Sequence, residues 1–71
     1  SGARTVLFQP EKSALRVQPN ETAATKAYAE QGAVAVVEEC SRDWCKVAAG
    51  RIKGWVKKAS LWGVAPDEVL N

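Results

Sequence analysis

The chain has 71 residues, enough for one small domain or one domain of a longer protein, which excludes a second hydrophobic core. Hydrophobic residues make up 46% and charged residues 25%, a globular composition that argues against a disordered chain. Ten basic and eight acidic side chains leave a net charge of +2, too small for a chain that must hold a polyanion over many contacts.

Short segments separated by Pro, Gly, Asn and Ser predict an all-β domain. The expected strands are, in chain order, Val6–Phe8, Leu15–Val17, Ala33–Glu39, Trp44–Ala49 and Arg51–Lys57. Ala59–Trp62 is too short for a stable α-helix and predicts a 3₁₀ turn that brings Leu61 to the core. A last short strand is expected to begin at Val64 and to end before Pro66. Five or six short strands at this spacing suggest a small barrel or two orthogonal sheets.

The segment Asn20–Gly32 fits two different structures. Its propensities predict a helix over Glu21–Gln31, because a residue suited to the N-cap precedes an alanine-rich interior and a glycine follows it. Tyr28 is the only large apolar residue in the segment, so such a helix would have almost no face to bury. The alternative is an irregular segment that becomes extended.

The absence of histidine is the main argument against catalysis. Without histidine, general acid–base chemistry at neutral pH would need a strongly perturbed carboxylate or lysine. Glu38 and Glu39 are adjacent, so on a strand they would point to opposite faces and could not share a proton. We therefore expect neither enzymatic activity nor a cofactor.

Cys40 and Cys45 form the most informative local pair. If Ser41–Trp44 make a four-residue turn, the two cysteines lie opposite each other where a hairpin closes, and a disulfide would add roughly 2 kcal/mol of stability. Two buried free thiols are the second interpretation. Metal binding is the third, but the pair supplies two ligands where a closed zinc site needs four. A disulfide would place the domain outside the reducing cytosol.

The aromatic residues supply the candidate binding surface. Trp44, Trp55 and Trp62 follow one another in the second half of the chain, and Tyr28 is a fourth candidate. Tryptophan is favoured where one face is apolar and the other meets solvent or a ligand, but these rings also suit a small core, Trp55 above all. Trp44 begins a strand directly after a turn and is the better candidate for an open surface.

Basic residues are concentrated in the same part of the chain. The segment Arg42–Lys58 holds six basic residues and a single acid, Asp43. This run is typical of the solvated side of a hairpin, and a basic binding face is the alternative. No apolar run approaches the ~20 residues that cross a bilayer, so we expect no membrane span.

An ordered pattern of strand and turn residues runs through most of the chain: Leu15-Arg16-Val17, Pro19, Gly32, Val34-Ala35-Val36-Val37, Asp43-Trp44-Cys45-Lys46-Val47, Gly50, Gly54-Trp55-Val56 and Leu61. Over roughly Leu15–Val64 this pattern resembles the bacterial SH3-like (SH3b) domains. The cysteines on either side of the turn look like those of the subgroup found in exported proteobacterial proteins. Gln18 departs from the pattern, because these domains usually carry a small residue and a glycine before the proline.

The resemblance implies a small SH3-like barrel of antiparallel strands that binds a ligand and does not catalyse. It makes Asn20–Gly32 an RT-type loop followed by a strand, with Tyr28 packed inward or onto a shallow groove. The ligand would be a peptide or cell-wall peptidoglycan, held on aromatic rings with cations pairing its carboxylates. The resemblance places Tyr28, Trp44 and Trp55 at this groove, and we expect Arg16, Lys46 and Arg51 to pair with carboxylates of the ligand.

We therefore expect one domain over residues 1–71, with its core at about 5–64 and looser ends, as part of a longer protein in the periplasm or cell envelope. We expect no bound metal. An alternative from another class is a nucleic-acid-binding barrel that combines exposed aromatic rings with a basic hairpin. A third hypothesis is a structural domain that docks on a sister domain of the same protein.

Overall fold

The computed structural model describes residues 4–70, and within that range it contains seven antiparallel strands and one 3₁₀ turn. The strands form one sheet in the order β3-β2-β6-β5-β4-β1-β7. This confirms the predicted all-β fold, with more strands than expected. The looser ends predicted from the sequence include residues 1–3 and 71, which lie outside the described range. The elements are β1 (Arg4–Phe8), β2 (Lys12–Arg16), β3 (Thr25–Glu30), β4 (Val34–Cys40), β5 (Trp44–Ala49), β6 (Ile52–Lys57), the 3₁₀ turn (Lys58–Ser60) and β7 (Leu61–Trp62).

The chain after β6 differs from the prediction. The 3₁₀ turn begins and ends earlier than expected, although it delivers Leu61 to the core as predicted. Leu61 and Trp62 then pair with β1 as strand β7. The prediction of a strand from Val64 is wrong. The backbone turns at Gly63, whose φ of 113° is a conformation that favours glycine.

The segment with helical propensity is a loop followed by strand β3, which confirms the extended interpretation. Asn20 Oδ1 accepts hydrogen bonds from the backbone N–H and the hydroxyl of Thr22 at 3.1 and 3.0 Å, which holds a tight turn. β3 pairs with β2, and Tyr28 lies on the outer face, 58% exposed, so it does not pack inward. Pairing with β2 overrides the local preference for helix. Residues 17–24 are called the β2–β3 loop below.

The core lies on the inner face of the sheet and consists of Val6, Phe8, Leu15, Ala29, Ala35, Val37, Cys40, Cys45, Val47, Val56 and Leu61. Trp44 and Trp55 are half-buried and Trp62 is exposed, so the interpretation that tryptophans fill the core is wrong. Gly54 allows β6 to approach β2, since a Cβ at this position would lie 3.0 Å from the Leu15 Cβ.

A disulfide closes the β4–β5 hairpin, as one of the three interpretations predicted. Cys40 and Cys45 lie opposite each other in the register, with an S–S distance of 2.04 Å. The backbone N–H and C=O of Cys40 both bond to Leu70, at 2.7 and 3.0 Å, so they point away from Cys45. The cysteines therefore form a non-hydrogen-bonded pair, the kind in which side chains come closest.

The C-terminal segment 64–70 folds back on the sheet and is held by polar contacts at Pro66 and Glu68. The guanidinium of Arg4 makes two hydrogen bonds to the carboxylate of Glu68, at 2.7 and 3.0 Å. The ammonium of Lys58 is buried and donates to the backbone carbonyls of Pro66 and Glu68. These contacts hold Pro66 and Val64 beside the 3₁₀ turn.

Candidate functional site

An open groove of about 890 Å³ lies between the β2–β3 loop and the 3₁₀ turn. The loop forms one wall, and the 3₁₀ turn with the C-terminal segment forms the other. The turn between β4 and β5 closes one end. The residues that line the groove are Gln9, Pro19, Asn20, Glu21, Thr22, Arg42, Asp43, Trp44, Lys57, Lys58, Ala59, Leu61, Val64 and Pro66.

Trp44 is the one large aromatic side chain that lines the groove within residues 4–70. It is the first residue of β5, and its neighbour Cys45 is fully buried on the opposite face of the strand. Because side chains alternate along a strand, the disulfide that fixes Cys45 in the core directs Trp44 outward. The backbone N–H of Lys58 donates to the backbone C=O of Asp43 at 2.8 Å. This bond joins the 3₁₀ turn to the turn that precedes Trp44.

An ion pair crosses from the β2–β3 loop to the end of β6. Lys57 Nζ lies 2.8 Å from Glu21 Oε1, and both residues line the groove beside Trp44. The hydrogen bond from Lys57 lowers the pKa of the Glu21 carboxyl below its ordinary value. The pair places a cation and an anion next to the indole ring.

A second, smaller cavity of about 130 Å³ opens beside the groove where β2 and β6 separate. Arg16 lines it together with Trp44, Glu21 and Lys57. Arg16 Nη1 donates to Ala23 O at 3.0 Å and to Thr25 Oγ1 at 3.2 Å, which holds the β2–β3 loop in place. Its other guanidinium nitrogens have no hydrogen bond to residues 4–70.

Trp55 lies on the outer face of the sheet between two cations. It is opposite Lys46 on β5 and opposite Arg16 on β2, so the three residues form one row across neighbouring strands. Neighbouring strands are about 4.8 Å apart, so the three side chains lie side by side on this face. The row continues to Glu39, which is opposite Lys46.

Glu38 and Glu39 do not alternate between the two faces as predicted. A register shift lies between Val37 and Glu39, and both glutamates are exposed. Glu38 Oε2 lies 2.9 Å from Lys53 Nζ in an exposed ion pair. The β-bulge explains the difference, because an extra residue on one strand breaks the strict alternation of side chains.

The structure brings four of the six predicted ligand-binding residues together. Trp44 and Arg16 line the cavities, and Trp55 and Lys46 extend from them along the outer face. Tyr28 lies on β3, with Lys12 Nζ 4.2 Å above its ring centre. Arg51 lies in the β5–β6 turn, at the opposite end of β5 from Trp44 and roughly 17 Å away along the strand.

Several groove residues were missed by the sequence analysis. Glu21 and Lys57 are far apart in the chain, and no local pattern indicates that they pair. Pro66 lies in the groove wall because its carbonyl accepts a hydrogen bond from the buried ammonium of Lys58 and because the Arg4–Glu68 pair holds the same segment. The Pro19-Asn20 turn was visible in the sequence and could have indicated one wall.

The fold and the position of the groove define a small all-β domain consistent with an SH3-like fold. The family model described as bacterial SH3 domain matches residues 9–63, more than half of the chain, so the chain belongs to the bacterial SH3 domain family. No curated protein and no solved structure gives a significant match.

Domains of this family are generally cell-wall or peptide binding modules and are typically non-catalytic. The disulfide together with the family fits an extracytoplasmic protein. Within the part of the chain that the structure describes, no helix is long and apolar enough to cross a bilayer, and no group of three or more Cys, Asp or Glu could hold a metal ion.

Proposed function

We propose that this domain is a non-catalytic recognition module of the bacterial cell envelope whose groove binds a peptide or the peptide-bearing glycan of the cell wall. The observation that carries the proposal is the half-buried Trp44 in an open groove, with the Lys57 ammonium beside it. An extended ligand would lie on the indole, and the walls on both sides would exclude water from that contact.

The charged residues beside Trp44 give the site its preference for carboxylates. A ligand carboxylate can pair with Lys57 if it takes the place of Glu21, and with the free guanidinium nitrogens of Arg16. A ligand longer than the groove would continue across Trp55 and Lys46 on the outer face. A role for Tyr28 and Arg51 in binding stays a prediction, since both lie apart from the groove.

The direct test measures how Trp44→Ala changes affinity for soluble fragments that a muramidase releases from peptidoglycan. Removing an aromatic ring at the centre of a site typically costs about 2 kcal/mol, so we expect about 30-fold weaker binding by calorimetry. Trp62→Ala is the matched control, because Trp62 is 64% exposed and does not line the groove. Thermal unfolding checks that both variants fold.

Unchanged affinity in a folded Trp44→Ala variant would overturn the assignment of the site. Binding of a single-stranded oligonucleotide that collapses between low and physiological salt would favour the nucleic-acid alternative. If neither probe binds, the remaining hypothesis is a domain that docks on a sister domain of a longer protein.

A further inference from the structure

Strand β3 is an edge of the sheet. It pairs with β2 on one side, and no strand within residues 4–70 pairs with it on the other. An edge strand presents a row of unpaired N–H and C=O groups and can add another strand. None of the groove residues lies on β3.

The register shows which backbone groups of β3 are free. The backbone N–H of Gln31 donates to Glu11 O at 3.2 Å, in line with the β2–β3 register. Hydrogen-bonded and non-hydrogen-bonded pairs alternate along an antiparallel ladder, so Ala29 and Ala27 make the next bonds to β2. The N–H and C=O of Tyr28 and the N–H of Glu30 therefore point away from β2.

The sequence of β3 is complementary to itself in one antiparallel register. With Tyr28 opposite Tyr28 of a second copy, Lys26 lies opposite Glu30 of that copy, and the reverse pair repeats the contact. The alanines Ala27 and Ala29 lie opposite each other. Opposite charges and aromatic pairs directly across a ladder are favourable, whereas like charges are not.

Other antiparallel registers that use the same outward backbone groups lack this match. In the register with Lys26 opposite Lys26 of the second copy, two ammonium groups face each other. In the register with Glu30 opposite Glu30, two carboxylates face each other. The intermediate registers leave the charges without an opposite partner. Lys26, Tyr28 and Glu30 are all exposed and are therefore available to a second copy.

The charge pattern also continues into β2. Lys12 is opposite Glu30 within the domain, so a second copy would extend the row to Lys12, Glu30 and its own Lys26. Lys26 Nζ donates to the backbone carbonyl of Lys53 on β6, so this exposed side chain exchanges that contact for the carboxylate of a second copy.

We infer that two copies of this domain associate through β3, antiparallel and about a twofold axis, with Tyr28 at the centre. The contact involves one short strand on each copy, so the dimer is weak and depends on concentration. Because the groove lies apart from β3, both grooves stay open, and a dimer can bind two sites on one cell-wall polymer.

Sedimentation velocity from dilute to millimolar concentration tests the inference with two charge reversals. K26E places two carboxylates opposite each other and E30K two ammonium groups, so each variant alone should self-associate about tenfold more weakly than the wild type. An equimolar mixture of the two variants should associate, since the two carboxylates of the K26E strand then face the two ammonium groups of the E30K strand. The double variant K26E/E30K should regain the wild-type dimer.

Tyr28→Pro is an independent test, because it removes an outward N–H that β2 does not use. It should abolish association, and circular dichroism reports whether the domain stays folded. If this variant unfolds, the mixture of K26E and E30K still tests whether β3 forms the contact. A wild type that stays monomeric, a mixture that stays monomeric, or a dimer lost in Trp62→Ala but kept in both charge variants would overturn the inference.

Discussion

Glu68 shows how a single side chain shapes one wall of the groove. Its carboxylate accepts two hydrogen bonds from Arg4 and one from the backbone N–H of Ala65 at 3.0 Å. The bonds from Arg4 are the main reason that the pKa of Glu68 falls to about 2. The same contact holds the segment that carries Val64 and Pro66 beside the 3₁₀ turn.

This depressed pKa predicts a specific loss of stability in acid. The folded carboxyl has a pKa of about 2 against an ordinary value of 4.5, so its contribution is complete above pH 4.5 and is lost as the pH falls toward 2. Urea unfolding measured across this interval should give a shallower pH dependence for Glu68→Gln than for the wild type. Asp67→Asn is the neighbouring control, since Asp67 makes no ion pair with residues 4–70. Equal slopes for Glu68→Gln and the wild type would contradict this role.

The β4–β5 hairpin links the core to the groove. The disulfide closes the hairpin next to Trp44, whose side chain lies in the groove. A covalent link here limits the conformations of the unfolded chain and fixes the backbone next to the indole. The hairpin therefore contributes both to stability and to the shape of the groove.

Replacing both cysteines by alanine should lower the free energy of unfolding by about 2 kcal/mol, the value expected for such a short loop. Urea denaturation of the wild type and of Cys40→Ala/Cys45→Ala measures this difference. Reductant should destabilise the wild type and leave the double variant unchanged. A wild type whose denaturation midpoint does not respond to reductant would show that the disulfide is not formed.

Across the domain, the features that local patterns determine could be predicted from the sequence. The bounds of β5 and the alternation of Trp44 and Lys46 with Cys45 and Val47 are as predicted, because β-branched and aromatic residues favour a half-buried strand. The cysteine pair and the glycine turn at Gly50 also follow from short spacings.

Features that depend on distant contacts could not be predicted. Strand β7 forms because Trp62 pairs with Leu7 on the neighbouring strand β1, and nothing near Trp62 in the chain indicates this pairing. The ion pair of Glu21 with Lys57 and the burial of Lys58 likewise arise from segments that are remote in sequence. The family resemblance was needed to choose the extended structure for Asn20–Gly32, where propensity alone favoured a helix.

We propose that the domain holds its ligand on Trp44, between the β2–β3 loop and the 3₁₀ turn. Mapping of amide and indole chemical shifts during titration with muramidase-released peptidoglycan fragments tests it most directly. We expect the largest changes at the Trp44 indole, in the β2–β3 loop and at Lys57, with the Trp62 indole unaffected. Changes confined to Trp62 or to β3, or no changes at saturating fragment concentration, would contradict the claim.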